Sequence, residues 1–204
     1  MTDPRTLREG DLDFTFDAGW TVFRHWDAES VYIALNDQVP GSRAVDIVGV
    51  RDRPRAIYLI EIKDYRTSEA QPSTRKKLAN DGRDLAAIVA TKVRDTVAGL
   101  IGAARQERDD DWSRTHDALA EHVWVVLWIE HTSLTALNSV RDRRNKGEAV
   151  VLKRSIATRC RWLRAQVEVC SRGGSCLPGL TVKSVAGAAR TPGRRSRQTA
   201  QSRP

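Results

Sequence analysis

The sequence predicts an α/β fold, a mixed central sheet flanked by helices. Three observations carry that prediction. Two apolar runs meet at a tight polar turn within 44–62, apolar residues recur at helical spacing over 84–105, and the run VWVVLWIE at 123–130 is apolar on both alternating faces. Strands joined by a tight turn pair antiparallel, whereas strands separated by helices run parallel, so the sheet is mixed.

Taken in order, residues 13–26 alternate in part and read as a strand or loose hairpin about Asp17-Ala18-Gly19. Asp27 caps a short helix, AESVYIALND, which ends before the Pro40-Gly41 turn. AVDIVGV and AIYLIEI then form a strand pair around RDRPR. A polar stretch follows, and Leu85, Val89, Val93, Val97, Leu100 and Ala104 mark one face of a long helix. QERDDDWSRTHD reads as an acidic loop before the central strand 123–130. A helix at 149–163, the turn SRGGSCLPG and a final short strand, LTVKSV, complete the series.

Composition narrows the function classes. With 204 residues, 40% of them hydrophobic and 29% charged, the chain is one folded domain with a full core, not a fibrous or wholly disordered protein. No apolar run approaches the roughly 18–20 residues that cross a bilayer, and MTDPRTLREGDLDF carries no leader pattern, so the expected location is cytoplasmic with no membrane partner. Cys160, Cys170 and Cys176 form no C-x-x-C pair, and His25, His116, His122 and His131 are scattered, which predicts ordinary side chains without a disulfide framework or zinc. The formal charge of +8 is concentrated in GAARTPGRRSRQTAQSRP, which holds five arginines and no acid. Without it, 29 basic residues face 26 acidic ones, a balance of +3. Residues 1–186 are therefore expected to form one domain and 187–204 a basic disordered tail.

Chemistry is concentrated in the strand pair. Setting Arg51 opposite Ala56 places Val50 against Ile57, Val48 against Leu59 and Asp46 against Glu61, all on one face, with Lys63 beyond them. Two facing carboxylates inside apolar runs repel each other and suffer desolvation unless something positive lies between them. A Mg²⁺ or Mn²⁺ ion satisfies both through hard oxygen ligands, and Lys63 is placed to act on a phosphate or a metal-bound water.

AVDIVGV, its turn and IYLIEIKDYR together resemble the signature of the PD-(D/E)XK nuclease superfamily, the restriction-endonuclease-like fold. In that motif an acid opens one strand and E-x-K follows on the next. Here the acids stand fifteen positions apart, with Val45 where the name-giving proline would be. IEIKDYR combined with KVRDTVAGL is similar to an uncharacterised bacterial branch, and the likeness covers about 20–129. The resemblance implies a restriction-endonuclease-like core in which Asp46 and Glu61 hold the metal and Lys63 is the catalytic lysine. It further implies an upstream acid, for which Asp27 and Glu29 are the candidates, and a helix-borne cation, for which Lys92 is the candidate.

The resulting expectation is a metal-dependent nuclease hydrolysing phosphodiester bonds in DNA, in repair or in defence against foreign DNA, as a monomer, a homodimer or a larger assembly. The alternative is a non-catalytic nucleic-acid-binding or assembly module on the same fold. Arg75, Lys76 and Lys77, in the polar stretch before the long helix, are the expected phosphate contacts. Trp124, Trp128 and Trp162 are expected in the core, leaving Trp20, Trp26 and Trp112 as candidate exposed contacts.

Overall fold

A computed structural model describes residues 5–24, 26, 29–66, 82–106, 110–130, 140–172 and 177–185. The strands are β1 (Arg5–Glu9), β2 (Leu12–Phe16), β3 (Trp20–Arg24), β4 (Ile47–Asp52), β5 (Arg55–Asp64), β6 (Val123–Glu130), β7 (Gln166–Cys170) and β8 (Leu180–Ser184). The α-helices are α1 (Ser30–Gln38), α2 (Arg83–Gln106), α3 (Asp110–Glu121) and α4 (Val140–Arg159), and a 3₁₀ turn, Arg161–Leu163, follows α4. The fold is α/β with mixed sheets and flanking helices. Five strands lie in the order β3-β4-β5-β6-β7, antiparallel as far as β5 and parallel from β5 to β7. A smaller antiparallel sheet has the order β1-β2-β8.

Period-two alternation sends the large sheet's side chains into two separate cores. Val48, Val50, Ile57, Leu59, Val125 and Leu127 pack beneath the helices. Ile47, Tyr58, Ile60, Val126 and Trp128 pack instead against Leu12, Phe14 and Phe16 of the small sheet. One face of the large sheet is thus covered by helices and the other by a second sheet, not by helices on both sides. Gly49 makes room on this face for the Trp20 indole of the adjacent strand β3, since a Cβ there would stand 2.9 Å from that ring.

The strand-pair register is the expected one: Ile47 faces Ile60, Val50 faces Ile57 and Arg51 faces Ala56. The ladder extends one pair further, to Asp52 and Arg55, so the loop is Arg53-Pro54 alone. β6 lies between β5 and β7 with Leu127 fully buried, the central strand that its sequence predicts.

Elsewhere the structure corrects the sequence reading. β2 and β3 do not form a hairpin about residues 17–19; the chain passes there from one sheet to the other. β1 and β7 are additional strands. From Asp110 onward the acidic stretch is helical, within α3, with Trp112, Thr115 and Ala118 on its buried side and two aspartates in its first turn, where the helix dipole favours them. Trp20, Trp26 and Trp112 are buried, whereas Trp162 is exposed. Cys160 is a buried free thiol, but Cys170 is disulfide-bonded. Cys176 and the tail 187–204 lie outside the described residues. Among the described residues no helix is long and apolar enough to cross a membrane.

The C-terminal end of β5 is tied to β8 through Arg66. Asp64 Oδ1 accepts from Arg66 Nε at 2.8 Å, and Arg66 Nη1 donates to Ser184 Oγ at 3.0 Å, linking β5 to β8. Hydrogen bonding from Arg66 holds the Asp64 carboxyl below its ordinary value of 3.8. A depressed carboxyl stabilises the fold above its unfolded pKa, and that contribution is lost as pH falls through the folded value. Asp64→Asn is therefore expected to be less stable than the parent well above pH 3.8, with the difference shrinking below it. Urea titrations across that range check this, and a pH-independent difference would refute it.

Candidate functional site

The helix-side face of β5 runs Ile57, Leu59, Glu61, Lys63, so the alternation that buries two aliphatic residues carries the carboxylate and the ammonium to the strand's exit. Asp46 stands just before β4, and its N–H donates at 3.1 Å to the carbonyl of Ile60, the residue that Ile47 already faces in the ladder. Its Oδ2 accepts from the Ile62 N–H at 2.6 Å, which fixes the carboxylate beside β5.

α2 supplies the third component. Lys92 lies three residues after the buried Val89 and four before the buried Thr96, at the border of the buried helix face. Thr96 Oγ1 accepts from the Val45 N–H at 3.1 Å, and Asp95 Oδ2 accepts from the Arg43 N–H at 3.0 Å, so α2 grips the segment entering Asp46. Lys92 Nζ then stands 3.4 Å from Asp46 Oδ1, 2.8 Å from Glu61 Oε1 and 2.9 Å from Glu61 Oε2. Lys63 Nζ contacts Glu61 Oε1 from the other side and donates to Ile62 O at 3.1 Å. The positive charge required between the two carboxylates is thus present in the chain itself. It is the Lys92 ammonium.

Glu61 is fully buried, and burial, reinforced by the Asp46 charge, raises its carboxyl above the ordinary value against the opposing pull of Lys63 and Lys92. Its Oε1 is held by the two ammoniums but receives no hydrogen bond of acceptable geometry. The Tyr65 hydroxyl, also buried without a hydrogen-bond partner, is pushed up to about 12 by burial and by Glu61. A buried hydroxyl left unpaired, as that of Tyr65 is, marks a place where a ligand or ordered solvent belongs, whereas Glu61 Oε1 is satisfied by its two ammoniums.

The donor chemistry fits a hard divalent cation. Asp46 and Glu61 converge on the Lys92 ammonium, which a cation held by both carboxylates would displace; Mg²⁺ or Mn²⁺ commonly takes only one or two protein carboxylates, completing its shell with water and phosphate. Among the described residues no cluster of three His, Cys, Asp or Glu side chains exists, so such an ion would rely on Asp46 and Glu61.

Asp46, Glu61, Lys63 and Lys92 are therefore brought together as the sequence predicts. Glu29 is not part of the group: it occupies the α1 N-cap without a side-chain cap bond, its carboxyl raised by burial and lowered in turn by Arg5. Asp27, Arg75, Lys76 and Lys77 lie outside the described residues. Tyr65 was not singled out by the sequence, although its place two residues beyond Lys63 puts it on the same strand face by simple alternation.

Over 102 residues the chain is 35% identical to a protein named cysteine–tRNA ligase from Neisseria meningitidis serogroup A / serotype 4A (strain DSM 15465 / Z2491). The match takes in 48% of this chain and 14% of that protein. No family model and no solved structure matches the chain. This comparison overturns the expected function. The named similarity is to a tRNA ligase, so the description of the chain as a DNA-hydrolysing nuclease is withdrawn, along with the repair and defence roles attached to it.

Proposed function

We propose that this chain is the nucleic-acid-binding module of an enzyme that acts on tRNA, and that Asp46, Glu61, Lys63 and Lys92 form its phosphate-binding centre. The observation that carries the reading is the cluster itself: two carboxylates around the Lys92 ammonium, one of them the fully buried Glu61, which Lys63 also contacts. The choice of polynucleotide rests on the similarity to a tRNA ligase.

Asp46 and Glu61 would hold a Mg²⁺ or Mn²⁺ ion. When bound, that ion supplies positive charge to phosphate oxygens that the carboxylates alone would repel. The Ile62 N–H keeps Asp46 turned toward the site. Lys63 and Lys92, whose side chains are 25% and 19% exposed, sit at the rim and reach solvent on flexible stems, where each can pair with a phosphate.

Fluorescence anisotropy with labelled tRNA, in EDTA and in Mn²⁺, tests the reading, alongside calorimetric titration of the protein with Mn²⁺ alone. The parent is expected to bind Mn²⁺ and to hold tRNA more tightly with it, whereas Asp46→Asn should lose the metal-dependent increment and keep its fold. Equal tRNA affinity in EDTA and Mn²⁺, or no tRNA binding at all, would overturn the proposal.

A further inference from the structure

The C-terminal end of α4 and the 3₁₀ turn after it carry a surface that the phosphate-binding centre does not explain. Between Glu148 and Glu168 the sequence is free of acids but contains Lys153, Arg154, Arg159, Arg161 and Arg164. Lys153 is neutralised by Glu168 at 2.6 Å. Arg154, Arg159, Arg161 and Arg164 are all exposed, and none of them forms an ion pair among the described residues. In their midst Trp162 is 55% exposed, the largest apolar side chain left in solvent among the described residues.

This placement follows from helix geometry. Leu152, Ile156 and Cys160 recur every fourth residue and anchor α4 to the core. Arg154 and Thr158 fall on the opposite face, and Trp162 continues that spacing past the helix end. Arg161 and Arg164, three apart across a 3₁₀ turn, are brought to the same side.

Arg164 adds a second, independent sign. It is the non-glycine residue with positive φ among the described residues, at 51° in the left-handed region where glycine closes a helix end at least cost. An arginine stands where the backbone favours glycine. The Trp20, Trp26 and Trp112 indoles, by contrast, are absorbed into the cores.

We infer that this face docks an unpaired segment of RNA, with phosphates against the arginines and one base stacked on Trp162. Unneutralised arginines complement a polyanion, and an exposed indole offers a sequence-tolerant stacking platform that an acidic protein surface would not use. The choice of RNA rests on the tRNA reading above. The surface itself rests on its own geometry.

The test uses the full chain and a short fluorescein-labelled oligouridylate, with oligothymidylate, an RNA hairpin and tRNA as further arms. Trp162→Ala should weaken oligouridylate binding about 5- to 100-fold, with Trp162→Phe recovering most of it. Arg161→Glu should lower the salt slope by about 0.7 for a single lost phosphate contact. Arg164→Gly separates binding from folding, since it should keep or raise the melting temperature while weakening binding. Variants that bind oligouridylate like the parent would overturn the docking surface. If those same variants retain Mn²⁺-dependent tRNA binding, the tRNA reading stands without it. A parent that binds neither RNA refutes both, and oligothymidylate bound as tightly as oligouridylate refutes the assignment to RNA.

Discussion

Glu61→Ala is expected to lower stability by about 3 kcal/mol, at the low end of the range for breaking a buried ion pair. The substitution removes a fully buried carboxylate that faces two ammoniums, leaving Lys63 uncompensated and Lys92 with Asp46 alone. The low end applies because both lysines keep some exposure and swing outward on flexible stems. For a chain of this length the loss corresponds to roughly 6–12 °C in melting temperature. From the sequence alone the opposite sign is expected, because removing one of two facing carboxylates relieves repulsion. Lys92 reverses that sign by standing between them. The cluster is costly to break yet contributes little as a whole, so Glu61→Leu combined with Lys92→Leu should regain most of the loss. Chemical denaturation of the single and double variants decides the matter. A Glu61→Ala protein as stable as the parent would show that the four charges do not support one another.

What was legible here follows from the range over which each signal acts. The β4–β5 pairing was readable because turn and alternation constrain each other: a slip of one residue would drive Val48, Leu59 and Glu61 to the other face. That register holds from Asp52 back to Ile47 opposite Ile60; Asp46 lies just outside the ladder, its carboxylate meeting the Lys92 ammonium that also contacts Glu61. The position of Lys92 at the edge of its helix face was readable too, but not its target, since 31 residues separate it from Glu61 and part of that span is a polar stretch without periodicity.

Other features left weaker traces. α3 buries few residues, and one of them is Thr115, whose hydroxyl donates to the Asp111 carbonyl at 2.7 Å; in sequence that residue looks like part of a polar loop. Trp162 lies one residue before Leu163, which packs partly against the core, so aromatic content alone predicted burial. Trp162 falls instead in line with Arg154 and Thr158, opposite the buried Leu152, Ile156 and Cys160, and stays in solvent. Function was least legible. The charge pattern indicates a cation and a phosphate, but it carries no information about which polynucleotide the phosphate belongs to.

The larger loss is expected on the neighbouring strand, at the same C-terminal end of the parallel β5–β6 pair. Glu130 is fully buried, and its carboxylate accepts from Trp128 Nε1 at 3.1 Å, from the Arg172 amide at 2.8 Å and from Arg172 Nε at 3.1 Å. Glu130→Ala leaves an indole N–H, a backbone N–H and a guanidinium without their acceptor and opens a cavity, for a cost of about 4–5 kcal/mol. Glu130→Gln keeps one acceptor but loses the charge assistance, for about 1.5–3 kcal/mol. The effect should also reach the candidate site, because Asp64 lies opposite Glu130 and Lys63 opposite Ile129 in the parallel ladder. Loosening this end frees the exit of β5, so amide exchange at Asp64–Arg66 should quicken and Mn²⁺ affinity should fall even though Glu130 is not a ligand. Hydrogen exchange together with Mn²⁺ titration of Glu130→Gln, the variant that retains its fold, gives both readouts. Unchanged exchange and unchanged Mn²⁺ affinity would mean that the buried Glu130 network and the Asp46–Glu61 cluster are mechanically independent, despite lying side by side on one pair of strands.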